Sequence, residues 1–274
     1  MKNVLEGFDL AGFSFVSFQH LNIFDVRSKG RIPQNCRTAI AIIFPYYNKS
    51  ASCGNVSAYC AVADYHVVVM EQLKSIISAL ENKYPRNSFV PFVDSSPVDE
   101  VDMAVKGGLG VKGENSLLIT ERWGSFVFIG EILTDLECDT VLCDYTYCAR
   151  CGLCAKKCPG GAIGRNDEGY CRINRENCAS FISQKKQELT EEQTEILKRA
   201  KTVFGCDICQ KTCPHNKAVI ERGAEAAQPN LFSYDILHTV TAENAEGIYK
   251  DRPFGFRGLK VLQRNLEIYN NGNN

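Results

Sequence analysis

The chain has 274 residues, 45% of them hydrophobic and 23% charged, with a formal net charge of −1. This is the balance of a globular chain with one large domain or two modest ones, and it excludes a global field that would recruit nucleic acid or an anionic membrane. No apolar run approaches a membrane span and Met1–Asp9 lacks the apolar stretch of a signal peptide, so a cytoplasmic protein with no membrane partner is expected.

In chain order, Arg37 to Tyr47 is an apolar run, Ala39-Ile-Ala-Ile-Ile-Phe44, bounded by Pro45, which predicts a buried strand. From Asp64 to Tyr84 the apolar residues Val67, Met70, Leu73, Ile76, Ile77 and Leu80 recur at helical spacing and predict an amphipathic helix. Phe89 to Asp94 reads as a second strand. Pro97 then opens a helix that Gly107-Gly108 ends. Ser116–Thr120 and Ser125–Leu133 read as strands joined by a turn near Trp123-Gly124, and Phe126, Phe128 and Trp123 as core rather than ligand wall. This alternation predicts an α/β layer over residues 1–137.

Nine of the 14 cysteines lie between Cys148 and Pro214. The first run, Cys148-x-x-Cys151-x-x-Cys154-x-x-x-Cys158-Pro159, has the spacing of bacterial ferredoxins. The second is Cys178 followed by Cys206-x-x-Cys209-x-x-x-Cys213-Pro214. Structural zinc and a disulfide scaffold are the plainer readings of Cys-rich segments. A zinc site closes on four ligands and would not need the linked run, and a cytoplasmic setting keeps thiols reduced. In two-cluster ferredoxins the Cys-Pro of each run serves the other cluster. That rule assigns one [4Fe-4S] cluster to Cys148, Cys151, Cys154 and Cys213, and the other to Cys158, Cys178, Cys206 and Cys209. The wide step from Cys178 to Cys206 predicts a helical insertion.

Within residues 138–218, Gly160-Gly161 and Ala162-Ile163 predict the turn and short strand that close a ferredoxin half. Asn177 is the expected cap of a helix near Cys178, and Thr190-Glu-Glu-Gln193 a capping box. Residues 219–274 are expected to pack back on the core. They carry a basic stretch with Arg252, Arg257, Lys260 and Arg264, and a frayed Asn270–Asn274 end. Of the remaining cysteines, Cys36, Cys53 and Cys60 read as packers or idle thiols. Cys138, Cys143 and Cys171 lie near enough in sequence to offer a spare ligand.

The cysteine runs, together with Asp64-Tyr-His66, Pro91-Phe-Val-Asp94-Ser-Ser-Pro97, Gly108-Leu-Gly110-x-x-Gly113-x-x-Ser116-Leu-Leu, Gly124-Ser125-Phe-x-Phe-x-Gly130-Glu131 and Arg257-Gly…Arg264-Asn265, resemble epoxyqueuosine reductases. These are cobalamin and iron–sulfur enzymes that complete queuosine in tRNA. The resemblance implies a nitroreductase-like α/β domain holding cobalamin over a ferredoxin-like double-cluster domain. It implies two-electron removal of an epoxide oxygen as water, with cobalt reduced stepwise through the clusters by a ferredoxin- or flavodoxin-type donor. It makes Asp94 the proton donor, which calls for a dry pocket to raise its pKa. The residues alone favour Asp94 as a helix cap.

By the same resemblance His66 touches cofactor or substrate, a structural histidine at the start of a helix being the other reading. Glu131 orients backbone at the cofactor edge or sits in a buried ion pair. Gly108, Gly110, Gly113 and Ser116 form a loop allowing close approach of a planar ligand, a phosphate cradle being the other reading. The chain departs from the family pattern in lacking the C-terminal helical repeat and an N-terminal His-Gly and tryptophan segment. Glu114 stands in place of a lysine, and Pro214-His215-Asn216 in place of Pro-Trp-Asn. Arg252, Arg257, Lys260 and Arg264, or Lys185 and Lys186, offer a patch for tRNA, or a solvated helix face. A monomer is expected. The competing readings are a cobalamin-dependent reductase of a small molecule and a non-catalytic electron-transfer or cobalamin-handling protein.

Overall fold

The structure is a computed structural model that describes residues 1–23, 29–49, 54–167, 169, 171–222, 237 and 239–272. Cys53, Asn273 and Asn274 lie outside the described residues. The elements in chain order are α1 (Lys2–Leu5), β1 (Gly12–Ser17), β2 (Thr38–Pro45), α2 (Tyr65–Lys83), β3 (Phe89–Val93), α3 (Glu100–Lys106), β4 (Val111–Lys112), β5 (Leu118–Ile119) and β6 (Val127–Thr134). There follow α4 (Leu153–Lys157), β7 (Ile163–Arg165), β8 (Cys171–Ile173), α5 (Ala179–Ile182), α6 (Glu191–Ala200), α7 (Ile208–Lys211), α8 (Lys217–Arg222), α9 (Ala245–Ile248) and α10 (Leu259–Gly272).

The main sheet has the order β1-β2-β6-β3, and every pairing in it is antiparallel. β2 is buried along its whole length, as its unbroken apolar run requires, because it lies inside the sheet with α2 and α3 among its cover. The N-terminal strand β1 was not legible as a strand: Phe13, Phe15 and Val16 supply only weak alternation, and pairing with β2 fixes it. α2 buries Val69, Leu73, Ile76, Ile77 and Leu80 against this sheet, while the expected core residue Val67 is 55% exposed. The stripe is therefore set by Tyr65 and Val69, with Met70 partly buried against the core and Val67 outside it.

Several boundaries differ from the sequence expectation. The helix expected from Pro97 starts at Glu100, and its N-cap is Asp99, whose carboxylate accepts from the Asp102 N–H at 3.0 Å. Asp94 is thus no cap. The strand expected over Ser116–Thr120 shrinks to Leu118–Ile119, because a tight turn at Gly113–Leu117 occupies the rest. Asn174, not Asn177, caps the short turn ahead of Cys178. α10 continues to Gly272, so Asn270 and Asn271 are helical rather than frayed. The Thr190–Gln193 capping box, the Gly161 turn and the short strand β7 after it stand as expected, β7 pairs further with β8 in a hairpin, and α5 and α6 fill the step between Cys178 and Cys206.

The cysteine-bearing segment docks on the sheet through a buried polar seam. Asn216, fully buried, accepts from the Ser125 N–H at 2.8 Å and donates to Ser125 Oγ and the Gln210 carbonyl, each at 2.8 Å. Gln210 also accepts from Ser125 Oγ at 3.0 Å, and Asp207 accepts from the Ala58 N–H at 2.7 Å. Gly124, at φ 56°, lies against Asn216, where any side chain would collide. The C-terminal residues Phe254, Val261, Leu262 and Leu266 close a second core with Val56, Cys60, Val203 and Phe204. Replacing Asn216 by Ala strands the buried Ser125 N–H and should cost about 1–3 kcal/mol, read as a lower urea midpoint of the anaerobically prepared protein.

Candidate functional site

β3 ends in a strained residue. Asp94 has φ 59°, in the left-handed region that is uncommon for residues other than glycine, and it turns the chain out of the sheet. The turn is tied from behind. Ser96 Oγ donates to the buried Glu131 carboxylate on β6 and accepts from the Val98 N–H at 3.2 Å. Among the described residues Glu131 forms no ion pair; it anchors the segment that presents Asp94. Burial raises its pKa, and its Oε1 has no hydrogen-bond partner among the described residues.

The first turn of α2 meets Asp94 from the side. Tyr65 OH donates to Asp94 Oδ2, and His66 Nε2 stands 3.3 Å from the same oxygen. His66 Nδ1 is 2.8 Å from Asp64 Oδ1, which also caps α2. Burial alone would lower the His66 pKa, but its bonds to Asp64 and Asp94, with their charges, outweigh it and raise the value from 6.5 to about 9. The Tyr65 hydroxyl is pushed up as well, by burial and then by Asp94. The Tyr65 ring is stacked between His66 at 4.1 Å and Phe128 at 4.2 Å, and Phe128 is in turn stacked on Tyr46 at 4.3 Å.

This aromatic slab borders a cavity of about 330 Å³ between the sheet and the cysteine segment. Asp94, Tyr65 and Phe128 face it on the sheet side, and Cys178, Cys206 and Cys209 on the other. Phe128 is therefore a wall residue, contrary to the core reading; Phe126 and Trp123 are core, as expected. Glu100 also lines the cavity, its carboxyl pushed well above the usual range by burial and by Asp94, Glu131 and Asp99. A second cavity, of about 70 Å³, is lined by Cys148, Cys151, Cys154 and Cys213 together. Cys206 lies within electrostatic reach of Cys178 and Cys158. Asn115 lines both cavities and bonds Cys209, so the two thiolate groups are neighbours across one side chain.

The donor sets fit iron–sulfur clusters, whose thiolates stand at the corners of a metal–sulfide cube. Among the described residues no three His, Cys, Asp or Glu side chains close on one metal ion. Cys138 contacts Thr38, Cys143 lies against Gly108, and Cys171 faces a different groove, so none of them joins either thiolate cavity. Cys36 also bonds at Thr38, and Cys60 is buried against Ser57.

The glycines of the loop do not line the cavity. A side chain at Gly110 or Gly113 would strike Ile119 O or Asn115, and one at Gly108, φ 76°, would meet Cys143 Sγ at 2.9 Å. These glycines let the chain approach itself, while the loop's Asn115 and Leu117 reach the cavity and Ser116, at φ 63°, makes the turn between them. Glu114 is buried beside the Cys148 group and is held by Arg165 through Nε at 2.8 Å, which neutralises the reversed charge. Arg252 is buried and donates to Ala61 O at 2.9 Å, so it leaves the expected basic patch. Sequence reasoning missed Tyr65, Glu100, Asn115 and Gln210. Tyr65 and Gln210 had signals, Tyr65 in its place between Asp64 and His66 and Gln210 in its place directly after Cys209.

Among proteins of known family, residues 30–95 match the family model described as Epoxyqueuosine reductase QueG, DUF1730, and residues 147–216 match the 4Fe-4S double cluster binding domain. The epoxyqueuosine reductase of Cyclobacterium marinum is 30% identical over 259 residues, covering 91% of this chain and 82% of that protein. The solved epoxyqueuosine reductase of Streptococcus thermophilus superposes with a TM-score of 0.77 at 23% identity over 99% of this chain and 80% of that one. A crystal structure of an epoxyqueuosine reductase with an epoxyqueuosine-modified tRNA-Tyr stem loop gives 0.77 at 19% identity, over 98% and 80%. At these identities the superpositions establish the fold.

The raised His66 pKa has a pH consequence. Its pairing with Asp64 and Asp94 stabilises the fold fully below about pH 6.5 and is lost as pH rises through about 9. Both groups are partly exposed, so the effect is screened. Histidine NMR titration should give a midpoint near 9 for His66, moving down in Asp94→Asn.

Proposed function

The chain belongs to the epoxyqueuosine reductase family, and on that premise we propose that it removes the epoxide oxygen of epoxyqueuosine in tRNA as water, using two electrons and two protons. One observation carries this reading: Asp94 and Cys206/Cys209 face each other across a single cavity. The electrons enter singly from a ferredoxin- or flavodoxin-type donor. We assign Cys148, Cys151, Cys154 and Cys213 to one [4Fe-4S] cluster, supported by their common cavity. Cys158, Cys178, Cys206 and Cys209 hold the other, supported by the nearness of Cys206 to Cys178 and Cys158.

At about 330 Å³ the cavity would take only part of a cobalamin, the rest of the molecule lying outside it; Val127, Phe128 and Ile129 give it an apolar wall, and Asn115, Ser125 and Gln210 are polar groups within it. Bound there, cobalamin would supply a strongly reducing cobalt centre able to open the strained ring. The nitroreductase-like description fits the antiparallel sheet with α2 and α3 against it. We take residues 1–137 as the cofactor and substrate part, 138–218 as the electron-carrying part and 219–274 as the segment that packs back. The second core, joining Phe254 and Leu262 to Val56 and Phe204, supports that packing.

The proton chemistry belongs to the chain's own side chains. Asp94 gives its proton to the opening oxygen, and the Tyr65 hydroxyl and His66 imidazole fix which way its carboxyl points. His66 stays protonated at neutral pH and, 3.3 Å from Asp94 Oδ2, stabilises the Asp94 carboxylate once its proton has left. Asp94 is half exposed here, so this chain alone does not form the dry pocket its acid role calls for; cofactor and substrate must supply that cover. Glu100 is a second wall residue able to hold a proton.

Among the described residues no helix is long and apolar enough to cross a membrane. The test is anaerobic reconstitution with iron, sulfide and cobalamin, followed by electron paramagnetic resonance and turnover of epoxyqueuosine-containing tRNA. Asp94→Asn should lose about 10²–10⁴-fold in turnover with cluster and corrin signals intact. Cys213→Ser and Cys158→Ser should each perturb a different cluster signal. Clusters without retained cobalamin would sink the reading.

A further inference from the structure

We propose that Phe256 and Arg257 form a stacking platform beside His66, the neighbour of Asp94, for a base of a single-stranded RNA loop, with Lys186 receiving a neighbouring phosphate. The proposal rests on the RNA-directed reading above and names the surface that would carry it.

Phe256 is 53% exposed, although the nearby Phe254 is buried at 1% and packs against Phe204 at 5.6 Å. Folding therefore uses Phe254 and leaves the Phe256 ring outside. That ring lies 6.0 Å from His66, which contacts Asp94, so the platform is one side chain away from the proton donor. The Arg257 guanidinium covers the same ring at 4.3 Å and bonds Gln184 Oε1 at 3.3 Å, while its Nε has no partner among the described residues. Gly258, at φ 90°, allows the chain to leave this turn and enter α10.

Beyond Arg257 runs a groove of about 160 Å³ that includes Phe181, Lys185 and Lys186. Lys185 is engaged by Glu176 and lies over Phe181 at 5.9 Å. Lys186 is exposed and has no ion pair among the described residues. An exposed ring, a guanidinium on its face and an open lysine along one groove match what an unstacked base and its phosphate need. A protein or peptide partner would be served by the ring but gives no reason for the row of cations beside it. With a net charge of only −1 for the whole chain, these cations are a local feature.

The experiment is a salt-dependent binding titration of the reconstituted full chain with an epoxyqueuosine-bearing anticodon stem-loop RNA as probe. Phe256→Ala should raise Kd about 5- to 150-fold, matching the loss of one stacked base, with the salt slope unchanged. Phe256→Trp should restore binding. Lys186→Gln should weaken binding less and flatten the slope by about one. Equal binding by Phe256→Ala and the parent chain overturns the platform, and so does a Phe256→Trp variant as weak as Phe256→Ala. Turnover of the probe is scored separately. Ring-dependent binding with no reduction leaves the platform standing and removes the reductase reading; reduction with ring-independent binding does the reverse.

Discussion

The buried contact of Asn216 with Ser125 is the constraint on which the rest depends. It joins the cysteine segment to the strand bearing Phe128, Glu131 and the main sheet's core. Each of its hydrogen bonds adds only about 0.5–1.5 kcal/mol net, yet breaking one partner leaves a buried N–H unpaired at about 1–3 kcal/mol. The seam thus contributes modest stability and strong positional selection. A slip of the two parts would separate Cys206 and Cys209 from the cavity that Asp94 shares with them.

Around Asp94 the chain concentrates acid in one place and answers it with one imidazole. Asp64, Asp94, Glu100 and Glu131 lie within electrostatic reach of one another or of His66, and burial drives Glu100 and Glu131 toward the protonated form. His66 responds in the opposite sense and holds its proton. Charge balance here is settled by protons more than by basic side chains, a suitable state for a reaction that consumes them. The strained φ of Asp94 is maintained by groups that do no chemistry themselves, notably Ser96 and Glu131.

Much of this was legible in residue order. The Cys148 and Cys206 runs carry their chemistry in spacing, since short fixed steps are what a cube of iron and sulfide demands. The β2 strand, α2 and the Thr190 capping box were legible because their signals are local. β1 was not, because its strand character comes from pairing with β2. The glycine loop misled in the other direction: glycine reports a need for space without saying what fills it, and here the filler is the chain's own Ile119, Asn115 and Cys143.

By itself the sequence determined the two cysteine runs, the buried strand β2 and the block around Asp94, because each depends on neighbours a few residues away. Only the tertiary structure decided that Phe128 would leave the core for the cavity wall and that Tyr65 and His66 would converge on Asp94. It also decided that Arg252 would be buried while Phe256 would not. These outcomes depend on how sheet, cysteine segment and C-terminal helix pack. Burial and alignment between distant segments are properties of that packing, which no local pattern encodes.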